Sequence, residues 1–423
     1  VGSEMCIRDR SNSELTLLAK CLDLDDVKVV KFGFVHEFGL VISIENEYQE
    51  AECPKCKKKT NKVNRNDSQI IRDLPMMGKS VYLKINRRQM RCQKCGHKFV
   101  EELNYVKRNR KFTNRMIEKI IKEVINSDIR NTAINNEVSE QEIQTMLKQK
   151  GEELKKEKPV GLKKLGIDEI ALVKGKKNYC AVLVNIETRE ILGILEKRSK
   201  EELMKYLKEW GKQVLLGIEE VSIDMWKPYK TVAEEIMPQA EIVVDRFHLM
   251  KLINEEVDKA RKRVKREMEV AFKKAKGKKR KQEFKNKLEA IKKSKYVLLK
   301  NQEHLEEQEE EKLKIVLQEY PELRRVYRLK EKLRQIFNTC DNWGDGLLRI
   351  TNWLRRATSY LPESCGTIIR WLGEIIAYFD NRTTQGVVEG INNKLKLIKR
   401  RSYGFRNFNN FVLRCDLSFS LAS

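Results

Sequence analysis

Three carboxylates of this chain occupy positions at which a pair of metal ions could be held. Asp168 lies in LGIDEIA, which reads as a buried strand, and Asp224 ends the short strand VSID. Polar groups that follow neighbouring strands collect at the carboxyl edge of an α/β sheet. A third acid, Glu389, comes much later, on a predicted helix. Hard oxygen ligands suit Mg²⁺, and two such ions about 4 Å apart can clamp the attacking and leaving oxygens of a phosphodiester.

The helix around Glu389 is amphipathic. In residues 383–396, Val388, Ile391 and Leu395 fall on one apolar stripe, which places Glu389 at the rim of a core. A carboxylate buried there is costly unless a cation or hydrogen-bond donors compensate it. Each acid alone is explained equally well as a strand-end cap, a turn residue or a surface charge. The metal-site interpretation therefore depends on the ordered placement of strand, strand and late helix.

Four of the ten cysteines form two CxxC pairs, in ECPKC and RCQKCG: Cys53, Cys56, Cys92 and Cys95. Two CxxC turns brought together provide the tetrahedral sulfur set that Zn²⁺ prefers, so we predict a zinc ribbon. The 35 residues between the pairs exceed the usual spacing, and a linker is expected in them. The alternative is redox-active or merely buried cysteines. The other cysteines are scattered, which is typical of small buried side chains in a reducing cytoplasm.

The segment after the cysteines predicts a helix-turn-helix. Residues 113–126 show one apolar helical face, and residues 128–149 read as two short helices joined at 135–138. Ser139 can cap the second of these, with Glu142 completing a capping box. Its first turn, with Ser139 and Gln141, would enter a major groove, helped by the basic run at 106–111. Any small three-helix bundle would show the same pattern.

The strands and helices that would position the three acids are predicted in a segment that begins near residue 164 and contains several short apolar runs. The apolar runs predict an α/β fold with a mixed sheet and helices on its faces. Strands are predicted in KLGIDEIALV, NYCAVLVNI, EILGILE, VSID and AEIVVD, with helices at 200–210 and through TVAEEIM.

Residues 250–375 read as almost wholly helical and strongly basic. In residues 259–300, 19 Lys plus Arg stand against 4 Glu, a net charge of +15. Such a one-signed block repels itself if left unpaired, which favours contact with a DNA backbone. A solvated surface, or partial neutralisation by the acidic run at 303–312, is the alternative.

Composition agrees with a nucleic-acid partner. The 423 residues carry 87 Lys plus Arg against 62 Asp plus Glu, a net charge of +25. No apolar run approaches the roughly 18 residues of a membrane span, so no membrane partner is expected. Residues 1–10 resemble the translation of a sequencing adapter and are left out of the fold argument.

Taken in order, these motifs resemble the ISL-three (ISL3) family of insertion-sequence transposases over nearly the whole chain. The zinc ribbon and helix-turn-helix are similar to the family's amino-terminal DNA-binding region. The family's catalytic domain is a ribonuclease H-like fold with a helical insertion before the last acid. Four segments of this chain resemble it: LGIDEIA, SIDMWKPY, VVDRFHLMKLINEEVDKAR and NRTTQGVVEGINNKLKLIKRRSYGFRNFNNF.

The resemblance implies a DDE triad of Asp168, Asp224 and Glu389 that uses two Mg²⁺ ions, for which Mn²⁺ could substitute. Water would hydrolyse one strand at each transposon end, and the freed 3′-hydroxyl would attack target DNA. Holding two ends favours a homodimer or higher oligomer on double-stranded DNA, in a prokaryotic cytoplasm at the nucleoid. Lys396 resembles the basic residue that often follows the final glutamate and holds phosphate.

Several neighbouring residues have two interpretations. Trp226 could stack on a flipped base or belong to the core. Asp245 could be an auxiliary acid, and His248 could orient the site or be a core histidine. Residues 398–408 mix basic and aromatic side chains as a DNA groove would, or pack the last helix; their arginines are Arg400, Arg401 and Arg406.

The predicted organisation is a zinc ribbon at 11–105, a helix-turn-helix at 106–155, catalytic core at 160–249 and 376–423, and the helical insertion at 250–375. Two other functions fit parts of the pattern. A DNA-binding regulator with an inactive nuclease domain would lack a triad acid, and none is missing. A stand-alone ribonuclease H-like nuclease would not need the amino-terminal DNA-reading modules.

Overall fold

The computed structural model describes residues 12–36, 38–153, 158–171, 179–383, 386–402 and 408–420. The chain divides into two compact units. The first contains residues 1–154 and 401–403, and the second contains residues 155–400 and 404–423. None of the helices in the described ranges is long and apolar enough to cross a membrane.

The first unit is built on a twisted sheet with the strand order β1-β2-β6-β5, and β7 pairs with β6. The β2–β6 pair is parallel and the other pairs are antiparallel. One face is apolar and packs against helix α1. The elements are α1 (Asn12–Leu22), β1 (Val27–Val35), β2 (Gly39–Asn46), β3 (Ala51–Glu52), β4 (Lys59–Thr60), β5 (Val63–Met76), β6 (Lys79–Arg91) and β7 (Lys98–Val100).

A long hairpin accounts for the wide spacing between the two cysteine pairs. Strands β5 and β6 run antiparallel from Val63↔Met90 to Met76↔Lys79, and Met77 and Gly78 make the turn with positive φ. The expected linker is therefore wrong for most of its length, because β5 is a 14-residue strand. Since more than half of its side chains are exposed and its first half is mostly polar, β5 lacks the apolar alternation by which strands are recognised.

Three capped helices follow the sheet, as the sequence predicted. Thr113 Oγ1 accepts the N–H of Met116 at 3.3 Å. Ser139 Oγ accepts the N–H of Glu142 at 3.2 Å, and Glu142 Oε2 accepts the N–H of Ser139 at 2.9 Å, which confirms the capping box. Glu137, in the left-handed region at φ 49°, makes the turn. The helices are α2 (Asn114–Asn126), α3 (Ile129–Asn136) and α4 (Glu140–Glu153).

The second unit contains the predicted mixed sheet, in the order β10-β9-β8-β11-β12. The first three strands form an antiparallel meander, whereas β11 runs parallel to both β8 and β12. This topology confirms the ribonuclease H-like α/β fold that the sequence predicted. The strands are β8 (Lys164–Ala171), β9 (Tyr179–Asn185), β10 (Glu190–Leu195), β11 (Glu220–Ile223) and β12 (Glu241–Val244).

Helices cover both faces of this sheet. Leu165, Ile167 and Leu183 point to the face packed by α5 and α7, and this core continues into the helical insertion. Val182 and Val184 point to the opposite face, which α16 and α17 cover. The helices outside the insertion are α5 (Lys200–Trp210), α6 (Lys212–Leu216), α7 (Lys227–Ile236), α16 (Gly386–Arg401) and α17 (Phe408–Ser420).

All the regular secondary structure in the described residues of the insertion is helical, and short turns join the helices. It begins at Arg246, directly after β12, and its last helix ends at Asn381, so the helical stretch is a little longer than the predicted 250–375. Its helices are α8 (Arg246–Lys274), α9 (Lys278–Ile291), α10 (Lys295–Leu299), α11 (Glu307–Glu319), α12 (Pro321–Thr339), α13 (Trp343–Ala357), α14 (Pro362–Arg370) and α15 (Leu372–Asn381).

Candidate active site and metal centre

Two hairpin turns bring the four cysteines of the zinc ribbon together. Cys53 Sγ lies 3.6 Å from Cys95 Sγ, and Cys56 Sγ lies 3.5 Å from Cys92 Sγ. All four sulfurs lie within 4.8 Å of one another, and the described residues contain no other such group of three or more potential ligands. Four convergent thiols are the donor set of a structural zinc site, and the prediction of a zinc ribbon is confirmed.

The backbone of the second turn prepares Cys92 for a metal. In the turn between β6 and β7, the N–H of Gly96 donates to the carbonyl of Cys92 at 3.0 Å. The backbone N–H of Cys95 lowers the pKa of the Cys92 thiol to about 6. Since the thiolate is the metal-binding form, this turn favours the ligand state of Cys92 near neutral pH.

Asp168 lies in the middle of the mixed sheet and is held from across the sheet face. Its side chain is buried, and Asn392 Nδ2 of α16 donates to Asp168 Oδ2 at 2.7 Å. The Oδ1 atom of Asn392 is itself buried and has no hydrogen-bond partner among the described residues. A buried acceptor without a donor beside a carboxylate is a feature that a cation would satisfy.

Asp224 follows β11, the strand next to β8, and the surroundings of its carboxyl group disfavour the ionised form. Burial raises the pKa of its carboxyl to about 7, and the negative charges of Glu169 and Asp168 act in the same direction. Its Oδ1 atom is buried without a hydrogen-bond donor from the described residues. Because a cation would remove both the repulsion and the missing contact, the carboxylates of Asp168 and Asp224 fit a hard divalent ion.

A cluster of one arginine and three aromatic side chains borders the two aspartates. Arg198 forms an ion pair with Glu169, and its guanidinium lies 4.6 Å from the ring centroid of Tyr179 and 4.5 Å from that of Trp226. The ring of Tyr229 also packs edge-on against Trp226 at 4.6 Å. Much of the Trp226 ring is therefore in contact with protein, which supports its interpretation as part of the core more than stacking on a flipped base.

His248, on α8, lies between two acids of the site. Its Nε2 atom is 3.9 Å from Asp168 Oδ1, and its Nδ1 atom is 3.9 Å from Asp245 Oδ2. Both distances are too long for a direct hydrogen bond. Asp245 is buried at the amino-terminal end of α8. The first helix of the insertion thus contributes an imidazole to the neighbourhood of Asp168.

Glu389 lies on α16, as predicted, but the expected burial of its carboxylate is wrong. Val388 and Ile391 are buried against the sheet, whereas Glu389 is exposed, so no cation is needed to offset desolvation. Glu389 lines a cavity of about 730 Å³ together with Asp245 and residues of α8. The ligand atoms of Asp168, Asp224 and Glu389 do not all lie within 4.8 Å of one another.

The predicted DNA-binding residues occupy accessible positions. Lys396 and Arg400 are exposed on α16, and Arg401 is exposed at its end. Ser139 and Gln141 are exposed at the start of α4. The Ser139 hydroxyl also contacts the Glu142 carboxylate at 2.9 Å, so it has a structural role already. Arg406 lies outside the described residues.

Asn392 and Arg198 are not among the site residues predicted from the sequence. Asn392 falls one turn after Glu389 on the same helix, and this spacing is the signal that could have identified it. Arg198 follows β10 in the loop before α5, and nothing in its local sequence indicates that it meets Glu169.

Comparison with known proteins places these features in a family. The ISL3 transposase model matches residues 165–415, and a model described as the zinc-finger of transposase IS204/IS1001/IS1096/IS1165 matches residues 49–95. The chain is 27% identical to the transposase for insertion sequence element IS1001 of Bordetella parapertussis, over 87% of this chain and 88% of that protein. It is 28% identical to the transposase for insertion sequence element IS1557 of Mycobacterium tuberculosis, over 58% of this chain and 57% of that protein. The first match alone covers more than half of the chain, and the protein therefore belongs to the ISL3 family of transposases.

Proposed function

We propose that this protein binds the ends of an insertion sequence and catalyses Mg²⁺-dependent strand cleavage and strand transfer with Asp168, Asp224 and Glu389. The observation that carries the proposal is the pair of aspartates on adjacent parallel strands of a ribonuclease H-like sheet. Their mutual repulsion and the unsatisfied Oδ1 of Asp224 are the features expected of a cation site.

Mg²⁺, when bound, would supply charge neutralisation and Lewis acidity at the scissile phosphate. Asp168 and Asp224 would hold it from the sheet, and Glu389 would complete the set from α16. Asn392 and the backbone N–H of Glu169 each donate to one oxygen of the Asp168 carboxylate and so hold its rotamer, and His248 borders the same carboxylate. Since Glu389 faces an open cavity, its side chain has room to turn toward the aspartates when DNA is bound.

The remaining parts of the chain have distinct roles in this proposal. The zinc ribbon at 11–105 and the helix-turn-helix at 106–155 recognise the element's end, with Ser139 and Gln141 at the base-reading turn. Phosphates near the cut are held by Lys396, Arg400, Arg401 and Arg406. Two copies of the protein, each with bound Zn²⁺ and Mg²⁺, bring the two ends of the element together. The core at 160–249 and 376–423 performs the chemistry, and the helical insertion at 250–375 adds backbone contacts.

The test is a nicking assay on duplex DNA that carries the end of the element. Wild type, Asp168→Asn and Glu389→Gln are compared in Mg²⁺, with Glu255→Gln as the matched control, because Glu255 is exposed and lines the same cavity as Glu389. We expect wild type and the control to leave a nick with a 3′-hydroxyl, and both triad variants to lose at least about 10³-fold in rate.

Two results would contradict the proposal. Equal nicking by Glu389→Gln and Glu255→Gln would remove Glu389 from the catalytic set. Binding of the end without cleavage by wild type, in either Mg²⁺ or Mn²⁺, would favour a DNA-binding regulator whose nuclease domain is inactive.

A further inference from the structure

A basic groove in the helical insertion is not explained by the catalytic site. It lies between α12 and α13, has a volume of about 720 Å³, and is called the arginine groove below. Its rim carries five exposed cations, three on α12 and two on α13: Arg325, Arg328, Lys332, Arg349 and Arg356.

The cations form two rows because of helical periodicity. Arg325, Arg328 and Lys332 follow the spacing i, i+3, i+7, and Arg349 and Arg356 follow i, i+7, so each set lies on one face of its helix. The two helices form an antiparallel hairpin, as shown by the 2.6 Å contact between Arg325 Nη1 and Tyr360 Oη. Each row is roughly 10 Å long, which matches about three phosphates of one DNA strand along the helix axis.

Most of these charges are not neutralised by the protein. Arg349 pairs with Asp345 at 2.7 Å, but no carboxylate of the described residues forms an ion pair with the other four. The opposite side of α12 differs, because Arg334 there pairs with both Glu303 and Glu331. Intramolecular pairing is thus available to α12, yet its three cations in the arginine groove have no ion pair with a described residue, which indicates an external anion.

The floor of the arginine groove favours a duplex backbone over bases or a single strand. Trp353 is 3% exposed, so it offers almost no ring surface on which a base could stack. Its Nε1–H donates to the carbonyl of Leu329 at 2.8 Å and is not available to a base edge. The groove therefore offers cations to phosphates and few directional groups to bases.

We propose that the arginine groove binds backbone phosphates of duplex DNA and contributes a sequence-independent part of the protein's affinity. This inference rests on the proposed function in one respect only, that duplex DNA is the substrate. It assigns the contact to α12 and α13, away from the strongly basic run at 259–300 that the sequence alone pointed to.

Salt dependence of DNA binding tests the proposal with matched charge changes. The groove variant is Arg328→Gln with Arg356→Gln, and the control is Arg324→Gln with Arg355→Gln. The control residues are exposed neighbours on the same two helices, are not part of the groove lining, and form no ion pair with the described residues. Affinity is measured for a duplex of the element's end and for a scrambled duplex of equal length, at several salt concentrations.

We expect the slope of log affinity against log salt to fall in magnitude by about 2 in the groove variant, on both duplexes, and to stay unchanged in the control. Arg328→Lys with Arg356→Lys should restore the wild-type slope, because the charge is kept. Melting curves of all variants exclude a folding defect.

Equal slopes for the groove and control variants would overturn the proposal. A loss confined to the element's end would also overturn it, since that pattern requires base reading. The nicking assay separates this inference from the proposed function. If wild type nicks DNA but the groove variant keeps the wild-type salt slope, only the arginine-groove proposal is refuted. If the slope changes but wild type does not nick DNA, the groove proposal stands and the proposed nuclease activity is refuted.

Discussion

The hydrogen bond from Asn392 to Asp168 gives the sharpest prediction about the active site. We predict that Asn392→Ala lowers the rate of nicking at fixed Mg²⁺ and raises the Mg²⁺ concentration needed for half-maximal rate. The bond is 2.7 Å long, and both residues are buried, at 2% exposure for Asn392 and 8% for Asp168. Without it, the hydrogen bond that remains on the Asp168 carboxylate among the described residues comes from the backbone N–H of Glu169, at 2.7 Å from Oδ1, so Oδ2 is no longer held in place before the metal binds.

The expected size follows from the strength of the bond. A hydrogen bond to a charged acceptor contributes about 1.5–3 kcal/mol. Loss of a group that orients a metal ligand typically costs about 10- to 100-fold in metal affinity or activity. We therefore expect the half-saturating Mg²⁺ concentration of Asn392→Ala to rise by about 10- to 100-fold.

The assay is the nicking rate on the element's end as a function of Mg²⁺ concentration. Asn393→Ala is the matched control, since Asn393 is the next residue on α16 and is exposed. Thermal melting of both variants separates a general loss of packing from the specific effect. An Asn392→Ala protein with the wild-type Mg²⁺ dependence would refute the reasoning, whatever its overall rate.

Two further predictions concern stability. The pKa of Asp224 is raised from its ordinary 3.8 to about 7, so its contribution to stability is largest below pH 4 and is lost as the pH rises through 7. In EDTA, Asp224→Asn should therefore melt higher than wild type at pH 8 and show a smaller difference at pH 4; a melting difference of equal size at both pH values would contradict this. Removal of Zn²⁺ by a strong chelator, or Cys92→Ser, should lower the melting temperature of the zinc-ribbon unit by more than about 5 °C, whereas Cys340→Ser, outside the cysteine cluster, should leave that transition unchanged in calorimetry.

Much of the fold could be predicted because its buried strands are short apolar runs. The strands that carry Asp168 and Asp224 are covered on both faces, so LGIDEIA and VSID stand out from their polar surroundings. Strand β5 could not be predicted in this way, because its stability comes from pairing with β6 along its length while most of its side chains face water.

The contacts that orient the site depend on tertiary structure and leave little trace in the sequence. Asn392 meets Asp168 across 224 residues of chain, and Arg198 meets Glu169 across 29. The arginine groove was missed for a similar reason: its cations are spread over two helices and are less dense in sequence than the basic run at 259–300. Sequence density of charge and spatial density of unpaired charge are different quantities, and the arginine groove is visible only in the second.

The position of Glu389 is determined by the packing of neighbouring residues of α16 against β8 more than by contacts of the Glu389 side chain. A Cβ atom at Gly166 would lie 2.8 Å from Val388 Cγ2, so β8 approaches α16 closely only because residue 166 has no side chain. The same approach lets Asn392, one turn further along α16, reach Asp168. No hydrogen bond or ion pair from the described residues holds the Glu389 carboxylate. The backbone of α16 is thus fixed against the strand that carries Asp168, while the Glu389 side chain keeps the freedom that the proposed closure on a metal and a DNA strand requires.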